Sequence, residues 1–195
     1  AVQADVTKAD DVQRVIEGTV QALGRVDVLV NNAGEAWMGH GVDTTDEEWE
    51  DSMEVNVYSA VRFTRGVVPY MREQGGGRII NIASVSGHTM IGGLVDYQAG
   101  KAAMLAFSKT MSIDLAPDNI LVNSVCPALI HTPLWDRLAD SLIPAVGHTR
   151  EEVFQNLANQ TLVIKRYGTV EEVSALVAFL ASERASFITG SAFDV

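Results

Sequence analysis

Cysteine is almost absent from this 195-residue chain, with Cys126 alone. One thiol cannot close an internal disulfide, and nothing reads as a secretory signal, so a reducing cytoplasm is the expected compartment. Cys126 ends the mostly apolar run that starts at Ile120 and is expected to be a buried, inert thiol. Basic residues are also scarce, 14 against 25 acidic ones, for a formal net charge of −11. That balance excludes a nucleic-acid partner, which needs a basic footprint, and suits a protein whose ligand is small. No apolar run approaches the roughly 20 residues that span a bilayer, so no membrane partner is expected. His40, His88, His131 and His148 are scattered without metal-ligand spacing, and no metal site is expected. Repeats, low-complexity tracts and linkers are missing too. With 47% hydrophobic and 20% charged residues, the chain reads as one domain spanning residues 1–195.

No methionine opens the sequence. Ala1–Asp5 and Ser191–Val195 both read as interrupted strands, so a fragment of a longer chain is expected.

Between the ends, strand-like runs alternate with helical patterns. Val26–Val30, Arg78–Ile82 and Ile120–Val125 are short, rich in Val and Ile, and nearly continuous in apolar character, as strands buried on both faces are. Val12, Val15, Ile16, Val20 and Leu23 recur at helical spacing, with Gly24 as a stop. Thr45 and Glu48 are placed as a capping box for a second helix. That helix is expected to run to about Arg72 with a kink at Pro69. Further helices are expected over Tyr97–Leu115 and Val170–Ala181. The alternation implies a doubly wound α/β fold: a parallel, Rossmann-like sheet with helices on both faces. Leu129–Arg166 is long for a connection and would suit a mobile substrate lid.

Four segments at or after strand ends carry chemistry, where a doubly wound sheet binds its ligands. In Asn31-Asn32-Ala33-Gly34 the small residues let a flat ligand lie against backbone. Ser84 follows the strand ending Asn81-Ile82. Tyr97 and Lys101, four apart, share one helix face, and a nearby ammonium favours phenolate. Pro127 ends the third strand, with Thr132 five residues later. Taken singly, each is compatible with an ordinary turn, loop or surface pair. Trp37, Trp49 and Trp135 read as packing or pocket wall, and Glu47, Glu48, Glu50 and Asp51 as a solvated helix face.

Together the segments say more. Asn-Asn-Ala-Gly follows a strand, Ser84 stands thirteen residues before Tyr97, Lys101 stands four after it, and a Pro-to-Thr segment follows the next strand. In order and register, over the whole chain, these features resemble the short-chain dehydrogenase/reductase family in its simple form. The resemblance implies a strand order of 3-2-1-4-5-6-7 and NAD or NADP as cofactor. It implies an enzyme that moves a hydride to or from a small carbonyl or alcohol. Tyr97 would be the catalytic acid/base and Lys101 would lower its pKa and hold the nicotinamide ribose. Ser84 would orient the substrate oxygen, and Asn56 would hold a water in the proton relay. Asn31, Ala33 and Gly34 would line the cofactor cleft, with Pro127 at its next strand end. Asp5 would contact the adenine, and Ile130 and Thr132 would grip the carboxamide. A homo-oligomer, tetramer or dimer, is implied, paired through the helices over Asp46–Arg72 and Tyr97–Leu115.

The sequence departs from that pattern at Ala128, where Gly is usual, and at Gly100, where Ser is common. The glycine-rich turn that cradles pyrophosphate is absent, as is the second strand, which selects NAD or NADP. Both would lie before residue 1, and the 195 residues alone are expected not to form a working enzyme. A nucleotide-binding sensor or an epimerase or dehydratase on the same fold are the alternatives. Substrate choice would rest on Trp37, Met90 and the Leu129–Arg166 segment.

Overall fold

The computed structural model describes residues 1–89 and 92–195, so Met90 lies outside the described residues. Its centre is a parallel sheet of β1 (Val28–Asn31), β2 (Gly77–Ile82), β3 (Ile120–Cys126) and β4 (Ala192–Asp194), in the order β1-β2-β3-β4. This is the 4-5-6-7 part of the expected order.

Successive residues of β2 face opposite sides of the sheet, so each face needs its own cover. On one side, Ile79 and Val122 pack with Val12 and Ile16 of α1 (Ala9–Leu23) and Val67, Val68 and Met71 of α3 (Ser59–Glu73). On the other, Ile80 and Val125 pack with Leu180 of α7 (Val170–Ala181). Met71 is wholly buried, and truncating such a side chain costs roughly 2–5 kcal/mol. The Val95–Asp114 helix, α4, leans on β3, and α5 (Pro133–Val146) and α6 (Arg150–Thr161) fill the long connection before α7. Among the described residues, no helix is long and apolar enough to cross a membrane.

Local signals placed most elements. Gly24 ends α1 at φ 80°, a left-handed conformation that glycine adopts without strain. Thr45 and Glu48 form the reciprocal capping box at the start of α2 (Asp46–Met53). One expectation fails. Ala1–Asp5 is not a strand: among the described residues it has no ladder partner, and a strand is defined by its neighbour. The helical stretch after Thr45 runs on to Glu73, close to the expected Arg72, with Pro69 inside α3. Within it the backbone widens into a π-turn over Glu54–Tyr58, closed by Ser59 N–H donating to Glu54 O. Such bulges recur at functional sites, and this one holds Asn56.

Candidate active site

Because the strands are parallel, the ends of β1, β2 and β3 share one edge, with Asn31 beside Asn81 and Asn81 beside Ser124. The segments that follow, Asn32–Gly34, Ala83–Ser84 and Pro127–Thr132, therefore meet there, and α4 begins beside them.

Ser84 opens a short turn over Val85–Gly87. Its hydroxyl accepts from Ser86 N–H at 3.1 Å, while Val85 N–H donates to Pro127 O at 3.2 Å. So placed, the Ser84 hydroxyl is near enough to the phenol of Tyr97 to favour its ionised form. Lys101, 3% exposed, stands over the Tyr97 ring with Nζ 5.5 Å from its centroid and donates to Ile82 O at 3.0 Å. Burial pulls the Lys101 pKa down to about 8, so the ammonium still dominates at neutral pH. The expected lowering of the Tyr97 pKa is not found. Burial raises it above the ordinary tyrosine value, and the Ser84 hydroxyl offsets only part of this. In this arrangement Tyr97 holds its proton.

Asn56 is fully buried. Its amide donates to Glu35 O at 2.8 Å and to Ser52 O at 3.1 Å, and its Oδ1 accepts from Glu35 N–H at 3.2 Å. Gly34 lies against the same groups. A Cβ there would stand 3.0 Å from Asn56 Oδ1 and 3.1 Å from Lys101 Nζ. Ser84, Tyr97, Lys101, Asn56 and Gly34 thus form one cluster.

The remaining expected residues divide. Ala33 and Gly34 are exposed at the mouth of the cluster. Asn31 turns inward: its amide donates to Asn81 Oδ1 at 2.7 Å, and Asn81 donates to Ser108 Oγ at 2.8 Å. Its side chain secures the sheet rather than facing a cleft. Pro127 presents its carbonyl to Ser84 and Val85. Ile130 is buried and bridges Gly168, using Leu129 O and His131 N–H. In a parallel bridge this turns the N–H and C=O of Ile130 the other way. Thr132 is the N-cap of α5 but its hydroxyl makes no cap bond. Asp5 lies apart, exposed, its carboxylate accepting from Thr7 N–H at 2.9 Å and Thr7 Oγ1 at 2.7 Å. These hydrogen bonds hold its pKa below the usual value.

Backbone groups at Ile130, a hydroxyl at Thr132 and a side-chain-free approach at Gly34 fit the flat, amide-bearing nicotinamide end of a nucleotide.

Sequence reasoning missed three contributors. His40 pairs with wholly buried Asp96, Nδ1 to Oδ2 at 2.8 Å, bracing the residue just before Tyr97. Asn81 was signalled only by a polar residue inside a buried strand. Glu35 pairs with Arg137 at 2.5 Å, 102 residues away, which no local pattern announces. Cys126 is the expected inert thiol, buried, its pKa pushed up to about 11 by desolvation first and by Asp194 second. Among the described residues, His88, Cys126 and Asp194 bring ligand atoms within 4.8 Å of one another. The Lys101 charge acting on that thiol opposes a dication there.

A family model described as enoyl-(acyl carrier protein) reductase matches residues 1–195. The 3-oxoacyl-[acyl-carrier-protein] reductase FabG of Thermotoga maritima is 36% identical over 191 residues, covering 98% of this chain and 73% of that protein. The structure of L-sorbose reductase from Gluconobacter frateurii, complexed with NADPH and L-sorbose, superposes with a TM-score of 0.94 at 38% identity, over 100% of this chain and 74% of that one. NAD+-bound xylitol dehydrogenase superposes at 0.90 with 28% identity, over 98% and 76%. The chain spans about three quarters of the length of these relatives. It belongs to the short-chain dehydrogenase/reductase family, whose members are NAD(P)-dependent oxidoreductases.

Proposed function

We propose that residues 1–195 are the catalytic part of a dinucleotide-binding domain, and that the full-length enzyme interconverts a small secondary alcohol and its ketone, with Tyr97 as general acid/base. The observation that carries this is the convergence of Ser84, Tyr97 and Lys101 at one sheet edge, with the Lys101 ammonium 5.5 Å from the centre of the Tyr97 ring. When bound, NAD or NADP supplies or accepts the hydride. Ser84 and Tyr97 direct two hydroxyls at the substrate oxygen and stabilise the negative charge that grows there in reduction. Tyr97, kept neutral by burial, releases its proton to that oxygen. Lys101 stabilises the phenolate left behind. Asn56, its amide clamped by Glu35, holds a water that returns the proton from solvent. Ala33, Gly34, Pro127, Ile130 and Thr132 line the cofactor side, and Asp5 contacts the adenine end.

The intact Ser84, Tyr97 and Lys101 favour an enzyme over a nucleotide sensor, which has no need of a proton donor. The Asn31–Gly34 turn favours the simple dehydrogenase form over an epimerase or dehydratase. A cytoplasmic location accords with the single buried thiol. The small or apolar residues Val95, Ala99, Ala106 and Ile113, exposed along α4, support a homo-oligomer paired through that helix.

A panel of secondary alcohols and ketones, followed in the full-length enzyme by the nicotinamide absorbance with NAD(H) and NADP(H) in turn, tests this reading. Turnover of at least one alcohol/ketone pair is expected. Cofactor binding without turnover of any pair would favour the sensor.

A further inference from the structure

Glu35 carries a carboxylate that the reaction just described does not use. Both of its backbone polar groups are bonded to Asn56, N–H to Oδ1 at 3.2 Å and C=O to Nδ2 at 2.8 Å. Its neighbour Gly34 lies so close that an added Cβ would stand 3.0 Å from Asn56 Oδ1 and 3.1 Å from Lys101 Nζ. Its carboxylate points the other way. Oε1 accepts from Arg137 at 2.5 Å and from Ala36 N–H at 3.2 Å. Arg137 lies on α5, the first helix of the long segment before α7.

That segment is joined to its surroundings through aromatic side chains. Trp135 of α5 meets Tyr167 edge-on at 5.9 Å, Phe154 of α6 meets Tyr167 at 4.8 Å, and His131 meets Phe154 at 5.1 Å. Such contacts join α5 and α6 into one packed body. Arg137–Glu35 is the ion pair through which that body grips the Gly34–Ala36 loop. The two side chains are 60% and 32% exposed, so the pair is weak enough to open and close at little cost.

We propose that Glu35 is a positioning residue: it couples closure of the α5–α6 segment, through Arg137, to the placement of Asn56 and Lys101. The proposal rests on the roles assigned above to Asn56, Tyr97 and Lys101. When the segment closes, Arg137 pulls on the carboxylate, the loop tightens, and the Asn56 amide and the space left to Lys101 are fixed together. Closure would then set the acid/base machinery as well as cover the substrate.

A double-mutant cycle tests it in the cofactor-saturated enzyme, with Glu35→Gln, Arg137→Gln, the pair together, and the charge swap Glu35→Arg with Arg137→Glu. Each single change should lower kcat about two- to five-fold, the size of a partly exposed ion pair, at an unchanged thermal midpoint. The double variant should fall no further, and the swap should recover at least half the loss. About 0.5 M KCl should bring the wild type toward the single variants and leave the double variant unmoved. Trp135 fluorescence should report a more open segment in both single variants. Additive losses, or effects confined to KM, would overturn the coupling. If a single variant is unstable, Glu35→Asp, which keeps the charge but shortens its reach, must show the same kcat loss for the proposal to stand. Asn56→Ala separates the two readings: wild-type kcat there removes Asn56 from the relay, whereas an additive cycle removes the coupling whatever Asn56 does.

Discussion

The α-carbon of Gly34 lies so near the ammonium of Lys101 that a methyl group on it would stand 3.1 Å from Nζ and 3.0 Å from Asn56 Oδ1. Both are closer than an ordinary carbon contact. The Lys101 end is flexible and gives way, so the fold should survive Gly34→Ala while the charge is displaced. Catalysis is far less tolerant of such shifts than folding is, and kcat/KM should fall about 10-fold or more at a nearly unchanged thermal midpoint. Full activity in this variant would show that the space beside Lys101 is not used.

Gly100 gives the contrasting case on the same helix. A Cβ there meets Asn56 Cβ at 3.4 Å, Val57 Cγ2 at 3.5 Å and Met53 Sδ at 3.9 Å, all ordinary contacts. Gly100→Ala should keep activity and gain up to ~1 kcal/mol from helix propensity. Denaturant unfolding measures it, and a loss of stability would mean that α2 and α4 pack more tightly than these distances imply.

Tyr97→Phe keeps the ring under Lys101 and removes the proton. It should leave cofactor binding nearly intact and cut kcat by at least ~100-fold, the usual scale of general acid–base catalysis. Steady-state kinetics beside a cofactor titration decide this, and near-normal turnover would take Tyr97 out of its role.

Lys101 has a pH signature. Its pKa falls from 10.5 in the unfolded chain to about 8 when buried. Below about 8 the folded protein carries the full cost of a buried charge. Between about 8 and 10.5 the unfolded chain binds more protons than the folded one, so this cost fades and stability rises with pH. Lys101→Met removes the group. Its stability relative to wild type should be most favourable below pH 8 and should decline as pH rises toward 10.5. Paired denaturation curves across that window test the sign, and a flat difference would mean that Lys101 is solvated in solution.

Oligomerisation is expected through α4. Sedimentation at micromolar concentration should show a dimer or tetramer, and Ala106→Arg on the exposed face should shift it toward monomer. A monomeric wild type would remove this face as an interface.

Much of this protein is set by its sequence. The Thr45/Glu48 capping box, the stop at Gly24, the β-branched runs of the three longer strands and the spacing of Ser84, Tyr97 and Lys101 are local patterns. Helix and strand periodicity express such patterns directly, because they act over a few residues. Tertiary structure decided the rest. Ala1–Asp5 has strand composition but no partner, and a ladder cannot be read from one strand. The helix widens at Glu54–Tyr58, around an Asn56 amide held by Glu35, 21 residues earlier. Asn31 belongs to the sheet because Asn81 lies beside it, 50 residues away. Tyr97 keeps a high pKa because burial outweighs the help of the Ser84 hydroxyl, 13 residues earlier in the chain. Burial and long-range contact are properties of the packed chain, and they determine which of the residues marked by sequence meet and which charges are felt.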